Sequence, residues 1–324
     1  MLRKFVAPAI LALGLSVAAA SAAEAQTRVT LKSAKAGSSY YVMMVQLGEL
    51  MKKQSAGKIL PTVEESQGSV QNVKEAARRP GNFLFTTPPN LLEDARAAKK
   101  PFEGETGYDK IRTLFVMPFV TVHLAVQKDS GVTDVMQLAG KKFIAGGKGT
   151  FCERRTARIF ELLGLTGKVE VIDVELDAAS NAMRNDKVAG FATCSSHPTP
   201  QLVELATTTP LTILSFTKEQ RDTILAADAL SGPLTIAAGT YKDQDKPVET
   251  VGVPVGAFST TAMDDETAYF ITKSFWEQRA QMAKENPWWA GVSPEMVNQL
   301  ATKLHPGALK YYKEAGIAVD AGLM

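Results

Sequence analysis

Cysteine and histidine are scarce in this 324-residue chain: Cys152 and Cys194 are its only cysteines, and His123, His197 and His305 its only histidines. Two cysteines exclude a disulfide scaffold, although an oxidising compartment would permit one bridge between them. With no H-x-x-H or C-x-x-C spacing, nothing marks a metal site, and no cofactor is expected. Charge of one sign is missing as well. Lys and Arg number 36 against 34 Asp and Glu, a net +2. No basic excess therefore invites nucleic acid, and no acidic tail invites cations. Neither G-x-x-x-x-G-K-[ST] nor G-x-G-x-x-G occurs, which argues against a nucleotide site. The G-x-S-x-G turn is absent too, so an enzyme is not the expected reading. The remaining catalytic option is an exported enzyme using Cys152 with His197, both in candidate cleft loops.

Past the first twenty residues there is no uninterrupted apolar span of membrane length. The first twenty are different. Met1-Leu2-Arg3-Lys4 precedes an apolar run from Phe5 to roughly Ala20, and small-x-Ala patterns end at Ala23 and Ala25. A basic start, a short apolar core and small residues before a cut read as a cleaved signal peptide over residues 1–25. The expected product is an exported, periplasmic protein.

Strand-like and helix-like segments alternate through the mature part, which argues for an α/β fold. Met43, Leu47, Leu50 and Met51 fall at helical spacing. "ILPTVEE" reads as extended, "GSVQNVKEAARR" as a helix and "NFLFTT" as a short apolar strand. "IRTLFVMPFVTVHLAVQKDSGV" is β-rich but too long for one ordinary strand. "KKFIAGGKGTFCERRTARIFELLGL" has the form strand, Gly-rich loop, helix. From Asp264 to the end three helices are expected, the second over "SPEMVNQLATKLH". No repeat or low-complexity linker divides the chain, so a second lobe must be inserted into the first.

Three places share one design, in which a strand ends, small polar residues follow and a helix begins. They are Gly37-Ser38-Ser39-Tyr40, Ser66-Gln67-Gly68-Ser69 and Gly146-Gly147-Lys148-Gly149-Thr150. A helix start has unpaired N–H groups and partial positive charge, so it accepts anionic oxygens without a buried lysine. Each loop also has a local explanation: Ser39 or Ser69 as a helix cap, and Thr150 with Glu153 as a capping box. A fourth loop, Cys194-Ser195-Ser196-His197-Pro198, precedes a helix that Thr199 would cap and Pro200 begin. There His197 would donate to a carboxylate, or lie exposed in the loop. One of Arg154 and Arg155 would pair with a ligand carboxylate, or both are solvated surface charges.

These residues carry a resemblance. "IAAGTYKDQDKPVETVGVP", residues 236–254, is similar to the I-P-A-G-T-Y-x-x-Q-D-x-P-V-x-T-V-G-V run of the TAXI family of solute-binding proteins, the receptors of a class of TRAP transporters. "LHPGALKYYKEAGI", residues 304–317, resembles that family's H-P-G-A-x-x-Y-Y-x-E-x-G ending. "AGSSYY" and "ESQGSVQN" resemble its G-x-x-Y-Y loop and T-x-G-S-x-x-N motif. The resemblance implies a two-lobed type II periplasmic-binding fold, each lobe a central mixed β-sheet flanked by helices, with the ligand cleft between lobes. Lobe 1 would comprise residues 27–126 plus 250–324, and lobe 2 residues 127–249. It further implies a monomeric receptor that closes over a small organic anion (a dicarboxylate, a glutamate-like molecule or a keto acid) and delivers it to TRAP-type membrane permease subunits. A receptor domain feeding a membrane sensor is the other non-enzymatic alternative. Carried onto this sequence, Ser38, Ser39, Tyr40, Gly68, Ser69 and Asn72 would contact the ligand from the first lobe. Gly149, Thr150 and Phe151 would do so from the second, with Ser195 and His197 nearby. Ser38-Ser39 stand where the family loop is richer in glycine, which points to a cleft of altered polarity.

Overall fold

A computed structural model describes residues 26–228 and 230–324; the expected signal peptide lies outside these residues. The chain opens with β1 (Thr27–Lys32), α1 (Ser39–Gln54), β2 (Ile59–Glu64), α2 (Ser69–Ala76), β3 (Phe83–Thr87) and α3 (Pro89–Arg96). The long strand β4 (Ile111–Gln127) follows. Next come β5 (Lys142–Ile144), α4 (Phe151–Leu162), β6 (Glu170–Val171), α5 (Leu176–Arg184), β7 (Gly190–Ser195) and α6 (Pro200–Leu205). Then β8 (Leu211–Ile213), α7 (Lys218–Ala226) and β9 (Gly232–Ile236) lead to the second long strand, β10 (Val248–Thr260). Helices α8 (Asp265–Glu285) and α9 (Pro306–Glu314) close the chain. Among the described residues no helix is long and apolar enough to cross a membrane.

The ten strands among the described residues join one sheet in the order β2-β1-β3-β10-β4-β7-β5-β6, with β8 on β4 and β9 on β10. β1 pairs in parallel with both β2 and β3, and α1 and α2 supply the crossovers that parallel neighbours need. The helical spacing seen in the sequence places Met43, Leu47 and Met51 on the buried face of α1. Every residue of β3 is buried, as expected of a strand covered on both faces.

Two strands organise the whole. β10 runs antiparallel to both β3 and β4, and β4 also pairs antiparallel with β7. The buried apolar side chains separate within these strands. Val120 and Val253 belong to one core with residues from the two ends of the chain. Val122 and Val251 belong to another, built from the intervening residues. The run expected to be too long for one strand is therefore a single strand of 17 residues. It reaches that length because it serves the first core and then the second, with Ala125 reaching a third on the other face of the strand. Where it passes between them the ladder shifts register, from Val120 opposite Val253 to Met117 opposite Val255. Pro118 and Phe119 then stand opposite Pro254. Proline has no N–H to give a ladder, so a bulge is where it is tolerated.

One expected helix is absent. Pro294–Leu300 winds as a 3-10 helix and ends at Ala301, whose φ is +50°. The chain must then straighten so that Leu304 bridges Thr113 of β4.

Candidate functional site

A cleft of about 400 Å³ opens between the two cores, at the ends of β1, β3, β5 and β7. Ser38, Tyr40, Gly68, Ser69, Asn72, Thr150, Phe151 and Ser195 line it. Ser39, Gly149 and His197 are not among its lining residues. Four loops distant in sequence thus converge, and eight of the eleven expected residues come together.

The two glycine-containing helix starts reach the cleft differently. Gly68 precedes α2 with φ +104° and ψ −160°, a conformation open to glycine alone, and no side chain caps the helix. The first-turn amides of Ser69 and Val70 make no hydrogen bond among the described residues. They are the free donors of an uncapped helix. Asn72 is committed elsewhere: its Nδ2 donates to the carbonyls of Ser33 (2.8 Å) and Thr86 (3.3 Å). Its Oδ1 lies 2.7 Å from the Ser66 hydroxyl. It therefore pins the ends of β1 and β3 to the loop before α2. Gln67, also on the cleft wall, keeps a buried side-chain oxygen without a partner among the described residues.

At α4 the sequence-legible cap forms. Thr150 Oγ1 accepts from the Glu153 amide at 3.1 Å, and the Glu153 carboxylate accepts from the Gly149 amide at 2.7 Å. The Gly149 amide is thereby occupied. Both arginines after it are paired: Arg154 with Asp94 at 3.4 Å and Arg155 with Asp228 at 2.6 Å. Gly146, at φ +118°, passes so close to the Cys152 side chain that a Cβ would stand 2.5 Å from it. Cys152 and Cys194 form a disulfide that ties the start of α4 to the end of β7 and lines the cleft. Its sulfurs hold no thiolate, so Cys152 is not a nucleophile.

The serine loops meet each other. Ser38, not Ser39 or Ser69, is the helix cap, accepting from the Tyr40 amide at 3.2 Å. Ser39 is fully buried, lies 2.5 Å from Ser195 Oγ and donates to the Ser196 carbonyl at 2.9 Å. Ser195 Oγ also accepts from the Ser39 amide at 3.0 Å and lies 3.1 Å from Ser38 Oγ. Tyr40 donates to the Pro118 carbonyl at 2.6 Å, and Ser196 donates to the Phe119 carbonyl at 2.7 Å. The carbonyls of the β4 bulge are thus taken by cleft-loop hydroxyls. Burial raises the Tyr40 pKa above its ordinary value, so the phenol is neutral.

His197 turns from the cleft to the Thr121 hydroxyl, 2.8 Å from its Nδ1, and burial lowers its pKa. Two buried residues that sequence reasoning missed stand behind it. Tyr241 donates to His123 Nε2 at 2.9 Å and accepts from the Thr199 amide at 2.9 Å. His123 Nδ1 faces the carbonyls of Thr121 and Thr193. Burial pushes the His123 pKa down to about 3. Thr199 precedes α6 but makes no side-chain cap; its hydroxyl reaches the Gly37 carbonyl at 3.5 Å. The signal available in the sequence was the presence of Tyr241 inside the "IAAGTY" run.

Of the described charged residues that line the cleft, Glu65, Asp177, Arg184 and Glu204 are exposed and Lys35 is half-buried. Lys35 pairs with Asp177 at 3.4 Å across the mouth, and Glu65 accepts from the Ala36 amide at 2.9 Å. Arg184 bonds Asn181 on its own helix at 2.9 Å.

Among solved structures, the chain is similar to the periplasmic binding protein BugD at 14% identity and a TM-score of 0.57, covering 90% of this chain and 98% of that one. It is also similar to MatC from Rhodopseudomonas palustris with bound malate, at 13% identity and a TM-score of 0.56, covering 89% and 97%. These likenesses show the fold, a two-lobed type II periplasmic-binding architecture. A family model described as NMT1-like family matches residues 31–316, and the chain belongs to the NMT1-like family.

Proposed function

We propose that this chain is a periplasmic receptor that binds a small organic anion by closure of two lobes and hands it to a TRAP-type permease of the TAXI class. Lobe 1 is taken as residues 27–126 plus 250–324, and lobe 2 as residues 127–249. The observation that carries the reading is the cleft between the two cores, walled by the starts of α2 and α4. Unpaired amides at a helix start suit a carboxylate, and their dipole adds partial positive charge. Closure sequesters the anion from water, where those donors gain strength. BugD and MatC are periplasmic or malate-bound proteins of the same fold, which supports a receptor over an enzyme, as does the loss of Cys152 to a disulfide.

A thermal-shift screen of protein freed of co-purified ligand tests this. Dicarboxylates, glutamate-like amino acids and keto acids should include at least one compound that raises Tm in proportion to log concentration. Ser69→Pro, which removes a first-turn amide where proline is tolerated in a helix, should weaken that compound about tenfold. Absence of a shift with every acid would sink the proposal.

A further inference from the structure

Burial divides the cleft into two zones. Its inner wall is made of buried, uncharged residues, among them Tyr40, Val120, Phe151, Cys152, Thr193 and Val255, none more than 8% exposed. Three of these are apolar, and the Cys152–Cys194 disulfide adds a fourth surface of the same kind. The ionisable Tyr40 is neutral, its hydroxyl already donated to Pro118. The outer wall carries Lys35, Glu65, Asp177, Arg184 and Glu204. Two cations face three anions there, and Lys35 is already paired with Asp177.

Resting on the receptor reading, we propose that the solute is a monoanion with an apolar body, not a dicarboxylate or a glutamate-like molecule. One carboxylate meets the free amides of α2. The body packs on Val120, Phe151, Val255 and the disulfide. A neutral hydroxyl on the solute would satisfy the unpartnered oxygen of Gln67. A second carboxylate has two places to go, and both are unfavourable. In the inner chamber it would be buried with no cationic partner. At the rim it would meet an excess of negative charge.

Titration calorimetry on ligand-free protein, with acids matched in length, tests this. 2-Hydroxy-4-methylpentanoate and 2-oxo-4-methylpentanoate are compared with 2-hydroxyglutarate and 2-oxoglutarate. The branched monoanions should bind at least about 100-fold more tightly than their dicarboxylate counterparts. Val255→Thr, which keeps the shape and adds a hydroxyl, should weaken them about fivefold. Arg184→Ala, at the rim, should change their Kd by less than about twofold. Tighter binding of the glutarates, or loss of monoanion binding in Arg184→Ala, overturns the monoanion proposal and leaves the receptor reading standing. Binding of neither series, together with a blank acid screen, removes both.

Discussion

His123 lies at the crossing of the lobes with both ring nitrogens engaged, one toward carbonyls and the other accepting from Tyr241. Burial disfavours the charged ring, and protonation would also remove the nitrogen that accepts from Tyr241. Its folded-state pKa is about 3, below the unfolded value of about 6.5. The stabilisation is therefore present above about pH 6.5 and is lost as pH falls from there toward 3. At pH 5 this one group costs about 2 kcal/mol relative to pH 8. His197 and His305 are shifted the same way by burial and add to the slope. Denaturant unfolding at pH 8 and pH 5 should show the loss, and His123→Gln should flatten the dependence whatever its effect at pH 8. An unchanged slope would refute the assignment. The same network shows why single residues were only partly legible in the sequence. Ser38 and Ser39 occupy adjacent positions with the same side chain. Yet one caps α1 at the cleft wall while the other is sealed against Ser195 and Ser196. The polarity added by that serine pair goes largely into the contact between loops. Nothing local to either serine encodes that difference; it depends on a loop 156 residues away.

Elements were easier to read than contacts. The hydrophobic spacing of α1 and the T-x-x-E start of α4 appear in the structure much as the sequence implies, because both are fixed by neighbours within four residues. The length of β4 was not legible, because it reflects two cores assembled from distant segments. The disulfide belongs at this level as well: the sequence left it open, and the fold brings the start of α4 and the end of β7 together. It closes a 42-residue separation, which in the chain-entropy model stabilises by about 4 kcal/mol. It also clamps the Gly146 turn against β7. Replacing both cysteines by serine should lower Tm by roughly 5–10 °C. It should also weaken solute binding several-fold, since the second-lobe loop loses its brace. Calorimetry and titration of the double variant check the two effects separately. A drop in Tm with unchanged affinity would mean that the bridge serves the lobe and not the cleft.

At the scale of the whole molecule, the contacts between lobes fall into two sets with different consequences for binding. The first lies along the crossing strands, where Ser39, Ser195 and Ser196 are buried and the Gln201 amide donates to the Gly37 carbonyl at 3.1 Å. Under the proposed hinge closure, contacts beside the crossing strands would move little, so they need not break on opening. The second set stands at the mouth. Arg154 reaches across to the Lys100 carbonyl at 2.8 Å and to Asp94 at 3.4 Å, and Lys35 reaches Asp177 at 3.4 Å. Under the proposed hinge closure, points far from the hinge travel furthest, so these bonds would form only with the lobes closed. Stabilising the closed state alone slows release without speeding capture. Arg154→Ala should therefore raise koff by about three- to tenfold and leave kon within about twofold, as two partly exposed bonds are lost. Asp177→Asn should do less, since that pair is more exposed and screened by salt. Stopped-flow fluorescence from the natural tryptophans, with any acid that binds, measures both rates. If Arg154→Ala slows capture and leaves release alone, Arg154 steers the anion inward and does not latch the lobes.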